Sequence, residues 1–112
     1  MTPHAEQAAP TAGADTIETS CHATAARRIG WPKYTGPANT YMQWVRLKAL
    51  LAWSGIPKDD IPRRLRERAE LGRERYGQYL APGNGRDARR DLQEELLDAA
   101  AYMAQVEAEG AK

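Results

Sequence analysis

The chain has 112 residues, a length that suits one domain. Its 16 Lys and Arg are balanced by 15 Asp and Glu, so no global field draws it toward nucleic acid or an anionic membrane surface. One cysteine, Cys21, excludes an intramolecular disulfide and fits a reducing cytoplasm. No apolar run approaches the ~18 residues of a membrane span, and no basic and apolar signal segment opens the sequence. A cytoplasmic protein that makes no use of a membrane is therefore the expectation.

Residues 1–28 are rich in Ala, Thr, Pro and Gly, with Ile17 as the lone large aliphatic, and are expected to form a disordered leader. Residues 29–112 are taken as a single helical domain. Roughly 80 residues lie near the lower limit at which one core sustains itself. An all-α bundle completed by oligomerisation is the fold class expected. The linker Gly30-Trp31-Pro32-Lys33-Tyr34-Thr35-Gly36-Pro37 should be extended or turned, pinned by Trp31 and Tyr34. Thr40-x-x-Gln43 then reads as a capping box that opens a helix running to Trp53, with Gly55 ending it. Trp44, Val45, Leu47, Leu50, Leu51 and Trp53 surround most of that helix. Such a helix is buried on more than one side, which predicts a homodimer or higher homo-oligomer with this helix near the interface.

A second helix is expected from about Pro62, a good first-turn residue, to Tyr76, with Gly77 stopping it. Ile61, Leu65, Ala69, Gly72 and Tyr76 form its apolar stripe, while Arg63, Glu67, Glu70 and Glu74 share another face. Arg63–Glu67 and Arg66–Glu70 have the spacing of i, i+4 ion pairs. The loop from Gly77 to Gly85, ending Pro82-Gly83-Asn84-Gly85, cannot be helical throughout. Asn84 or Asp87 should cap a third helix that continues to about Glu109.

That third helix carries the most informative pattern. Asp91, Glu95, Asp98 and Tyr102 follow i, i+4, i+7, i+11 and share one face. Leu92, Leu96, Ala99, Met103 and Val106 lie to one side of it, and Leu97, Ala101 and Ala104 to the other. Like charges one turn apart repel, and the repulsion grows between two buried apolar stripes unless a cation sits among the carboxylates. Oxygen ligands of this kind suit Mg²⁺, with Mn²⁺ as the alternative ion. The competing reading is an acidic stripe on an amphipathic surface helix.

Glu67-x-x-Glu70 is followed, after 24 intervening residues, by Glu95-x-x-Asp98. This arrangement resembles the signature of the MazG-like all-α nucleoside triphosphate pyrophosphohydrolases. The string Glu94-Glu95-Leu96-Leu97-Asp98-Ala99-Ala100-Ala101-Tyr102-Met103 looks like that family's second metal-binding helix. Arg75-Tyr76-Gly77, Leu80 and Pro82-x-Asn84-Gly85-Arg86-Asp87 look like a phage and actinobacterial, dATP/dGTP pyrophosphohydrolase-like branch. The match spans about residues 62–107, and the first 60 residues add nothing to it. The resemblance implies that Glu67, Glu70, Glu95 and Asp98 hold Mg²⁺ for hydrolysis of a nucleoside triphosphate to monophosphate and pyrophosphate. Glu74 is the alternative to one of the two α-helical glutamates before it. It further implies that Arg86, Arg75 and Arg73 meet the phosphates, while Tyr102 faces the base with Tyr76 and Tyr79.

Other chemistry is poorly served. His4 and His22 lie in the leader, and no Cys/His spacing suits zinc. The arginines of residues 63–75 are interleaved with glutamates, the dressing of an ion-paired face rather than a nucleic-acid stripe. The rival readings are a helical interaction module of the same fold without catalysis, and, further off, a nucleic-acid-binding helical protein.

Overall fold

A computed structural model describes residues 7–30 and 33–110. Four α-helices account for most of it: α1 (Cys21–Gly30), α2 (Tyr41–Trp53), α3 (Ile61–Tyr76) and α4 (Ala88–Ala108). Short 3-10 turns precede the first three, at Ile17–Thr19, Ala38–Thr40 and Lys58–Asp60. The described residues contain no strand, only an isolated antiparallel bridge between Ala14 and Tyr79. No helix among them is long and apolar enough to cross a membrane. The chain divides into two compact units, Thr11–Asn84, and Gly85–Lys112 together with Met1–Pro10.

In the Thr11–Asn84 unit, α1 packs along α3. Ser20 starts α1: its Oγ accepts from the Ala23 N–H at 3.1 Å and donates to the Ile17 carbonyl at 2.6 Å. This satisfies one of the donors that a helix start leaves open. Ala23, Ala25 and Ala26 favour the helix, and Arg27 and Arg28 complement its dipole in the last turn. Ile29 on α1 and Ile61 and Ala69 on α3 are almost wholly hidden, and each buried isoleucine contributes about 1.5–3 kcal/mol. The backbones approach closely where Gly30 meets Pro62, since a Cβ there would lie 2.9 Å from the proline Cγ. At its far end α3 stops at Gly77, whose φ of 79° is left-handed, with the Gly77 N–H bonding the Arg73 carbonyl at 2.7 Å.

The segment before α1 runs beside the loop after α3. Ala14 and Tyr79 exchange backbone hydrogen bonds of 2.9 and 3.0 Å, Thr11 donates to the Asn84 carbonyl, and Cys21 donates to that of Leu80. Ala14, Ala69 and Tyr79 form a small core, with Ile17 and Ala81 packed against it. In the other unit, Asp87 caps α4 by accepting from the Arg90 N–H at 3.1 Å.

The boundaries expected for α2, α3 and α4 agree with the structure, and the all-α class is observed. The leader differs. Residues 7–28, expected to be disordered, contain a 3-10 turn and most of α1, because Ser20 caps a run whose small side chains suit close packing on α3. Residues 1–6 lie outside the described residues, as do Trp31 and Pro32 of the linker. Tyr34 does hold that linker, bonding the Pro37 carbonyl and Thr40 Oγ1 and packing edge-on against Tyr41 at 5.1 Å. The capping box at Thr40 is not formed. Its side chain makes no cap bond, because the hydroxyl is held by the Pro37 carbonyl and Tyr34.

Candidate functional site

The carboxylates singled out by sequence fall in both units, Glu67 and Glu70 in one and Glu95 and Asp98 in the other. On α3, Glu67, Glu70 and Glu74 are exposed. Glu67 accepts from Arg63 Nη1 at 2.9 Å and lies 3.7 Å from Arg64 Nε, so the expected Arg63–Glu67 pair is made. The expected Arg66–Glu70 pair is absent. Glu70 instead accepts from the Tyr79 hydroxyl at 3.0 and 3.1 Å. Tyr79 is largely buried, and its phenol is pushed above the usual range, first by burial and then by the Glu70 carboxylate. Neutral Tyr79 is therefore a durable donor to Glu70.

On α4 the pattern reverses that of an ordinary surface helix. Asp91, Glu94, Asp98 and Ala99 are half-buried, whereas Leu92, Leu96 and Leu97 are 56%, 50% and 71% exposed. The apolar stripes expected to be buried on both sides of the acidic face are open, and the acids are the sheltered groups. Glu95 is exposed beside them. Asp98 makes no hydrogen bond or ion pair among the described residues. Tyr102, on the same face, is 53% exposed.

Asp91 is satisfied by Arg86. The guanidinium donates from Nε to Oδ2 and from Nη2 to Oδ1, both at 2.9 Å, in a two-bond fork. Arg86 Nη1 donates to the Ala8 carbonyl at 2.6 Å, and Gln7 Nε2 donates to Asp91 Oδ1 at 2.7 Å. The Arg86 side chain is only 9% exposed. All three of its nitrogens thus have structural partners, so its geometry is that of a brace between the start of α4 and residues 7–8. Arg73 and Arg75 lie over the rings of Tyr79 and Tyr76, at 5.6 and 5.4 Å. Such stacking orients a guanidinium and leaves its edge donors available.

Within either unit, among the described residues, no three His, Cys, Asp or Glu side chains are gathered closely enough to hold a metal ion by themselves. Mg²⁺ does not require such a cage, because it commonly takes one or two carboxylates and completes its shell with water and phosphate oxygens. Glu95 and Asp98, three residues apart on an unbroken 21-residue helix, fit that demand. Glu67 and Glu70 supply the right donor atoms but are engaged by Arg63 and Tyr79.

Sequence reasoning missed Glu94 as a member of the sheltered acidic face, although its i, i+4 relation to Asp98 was visible. It also missed Asp91 as the partner of Arg86, a contact five residues apart that crosses a helix cap and has no periodic signal. In comparison with known proteins, no family model, no curated protein and no solved structure matches this chain.

Proposed function

We propose that this protein is a Mg²⁺-dependent nucleoside triphosphate pyrophosphohydrolase whose metal-holding residues centre on Glu95 and Asp98. The observation that carries this reading is the inversion of α4, which shelters carboxylates and exposes leucines. Asp98 is half-buried with no hydrogen bond or ion pair among the described residues, and a carboxylate held partly out of water without a partner is costly. A divalent cation beside it offsets that cost. The resemblance to the MazG-like family adds Glu67 and Glu70 as further ligands.

When bound, Mg²⁺ would neutralise the triphosphate and lower the pKa of a coordinated water. The chain's own groups do the rest. Glu95 and Asp98 fix the position of the ion along α4. Tyr102, on the same helix, offers an exposed ring for a base. Arg86 acts one step back, by holding Asp91 and the first turn of α4 in place.

The reading includes self-association. No residue of α2 is buried, and Tyr41, Met42, Val45, Leu47 and Trp53 are all exposed. A homodimer or higher oligomer would cover that surface. A second reading, a helical interaction module without catalysis, is favoured by one observation: Glu67 and Glu70 are occupied by neighbours in the manner of a structural face. Incubation of the purified protein with each (d)NTP and Mg²⁺, followed by measurement of pyrophosphate, separates the two. Metal-dependent release supports the enzyme, and no release with any nucleotide supports the module.

A further inference from the structure

Away from the acidic residues, α1 and α3 leave an open cleft of about 470 Å³. This volume falls within the range of roughly 300–1,000 Å³ typical of small-molecule sites. Ile17, Ala26 and Pro62 give the cleft apolar wall, and the ring of His22 stands among them. His22 Nδ1 is buried with no hydrogen-bond partner among the described residues. Burial, and then the nearby Arg68, hold the pKa of this imidazole below its usual value, so the ring is a neutral part of the wall near pH 7.

Three guanidiniums line the same cleft, Arg27 from α1 and Arg63 and Arg66 from α3, against the single carboxylate of Glu18. Their engagement differs. Arg63 is shared between Asp60 and Glu67. Arg27 reaches only neutral acceptors, Thr24 Oγ1 at 3.2 Å and the Glu18 carbonyl at 3.5 Å. Arg66 has no ion pair among the described residues, because Glu70, its expected partner one turn away, is held by Tyr79. Each helix therefore presents one cation that makes no ion pair among the described residues to a cavity that also has an apolar side.

We propose that this cleft is a binding site for a small phosphate monoester, with the phosphoryl group between Arg27 and Arg66 and the organic part against Ile17, Ala26 and Pro62. Guanidinium forks from two helices match the several oxygens of a phosphoryl dianion better than a lone carboxylate. The cleft includes none of Glu67, Glu70, Glu95 or Asp98 and needs no metal, so it stands independently of the pyrophosphohydrolase reading.

The test is an NMR titration of the full-length ¹⁵N-labelled protein with phenyl phosphate in the presence of EDTA. Saturable shifts are expected at residues 17–27 and 62–66. Inorganic phosphate should bind about tenfold or more weakly, and phenol should not bind measurably. Arg66→Ala and Arg27→Ala should each raise the Kd about tenfold, whereas Arg64→Ala, on the same helix but outside the cleft, should leave it unchanged. Absence of saturable shifts would overturn the proposal. So would equal affinity for phenyl and inorganic phosphate, or equal weakening by Arg64→Ala and Arg66→Ala, which would mark charge screening without a site.

Discussion

Helices α3 and α4 both carry acidic residues three apart, and the two helices treat them in opposite ways. On α3, Glu67 and Glu70 are exposed and spoken for by an arginine one turn back and a tyrosine nine residues on. On α4, Asp91, Glu94 and Asp98 are half-buried while leucines face outward. An E-x-x-[DE] spacing guarantees that two carboxylates share a helix face, and nothing more. What surrounds that face decides whether the pair is surface dressing or a poised ligand set. The difference between the two faces can be sharpened or broken by a series of measurements.

The largest effect should come from removing residues 1–20. This deletes the Ser20 cap, the Ala14–Tyr79 bridge and the Gln7 and Ala8 contacts to Asp91 and Arg86. Both units lose support, so the truncated chain should lose cooperative thermal unfolding, as circular dichroism would show. A truncated protein that melts like the full chain would restore the picture of a dispensable leader.

Arg86→Ala comes next. It leaves the partly buried Asp91 without its two-bond partner, and about 2–4 kcal/mol of stability should be lost in urea unfolding. Pairing it with Asp91→Asn should recover part of that loss, because the uncompensated charge is then gone. On α3, Glu67→Gln should cost about 0.5 kcal/mol or less, since both partners of the Arg63–Glu67 pair are more than half exposed. A cost for Glu67→Gln as large as that for Arg86→Ala would erase the distinction between the two helices.

The smallest effect concerns pH. Burial and Arg68 depress the pKa of His22 below the usual 6.5. As pH falls, the unfolded chain takes up this proton before the folded state does. The contribution is thus fully present above pH 6.5 and is lost as pH falls toward the folded pKa. Urea midpoints of wild type should drop between about pH 7.5 and about pH 5, and the drop should be smaller in His22→Gln. Equal drops would show that His22 titrates alike in both states.

The elements that sequence revealed were those with local signals. Pro62 and Gly77 bracket α3, Asp87 and the long apolar period mark α4, and the density of large side chains marks α2. Helix α1 was missed although Ser20, three alanines and terminal arginines and glycine spell it locally. Its apolar face is made of small residues and one isoleucine, so it carries little hydrophobic weight. Its stability comes from close approach to α3, which only tertiary structure reveals. The spacing of Glu95 and Asp98 was legible in the sequence, but the surroundings of their helix face were not. Periodicity placed leucines beside the acids without saying which would face water, because that depends on what covers the helix. The exchange of Arg66 for Tyr79 at Glu70 was equally invisible, since it joins α3 to a loop that the i, i+4 rule does not reach.

The proposed function has Glu95 and Asp98 of α4 hold a divalent ion. Thermal unfolding with and without millimolar Mg²⁺, in wild type and Asp98→Asn, tests it most directly. An ion that binds only the folded state at about a hundredfold excess over its Kd adds about 2.7 kcal/mol, a shift of several degrees for a chain of this length. Wild type should show that rise in Tm and Asp98→Asn should lose it while keeping its helical circular dichroism. An identical Mg²⁺ response in the two proteins, or no response in wild type, would contradict the account.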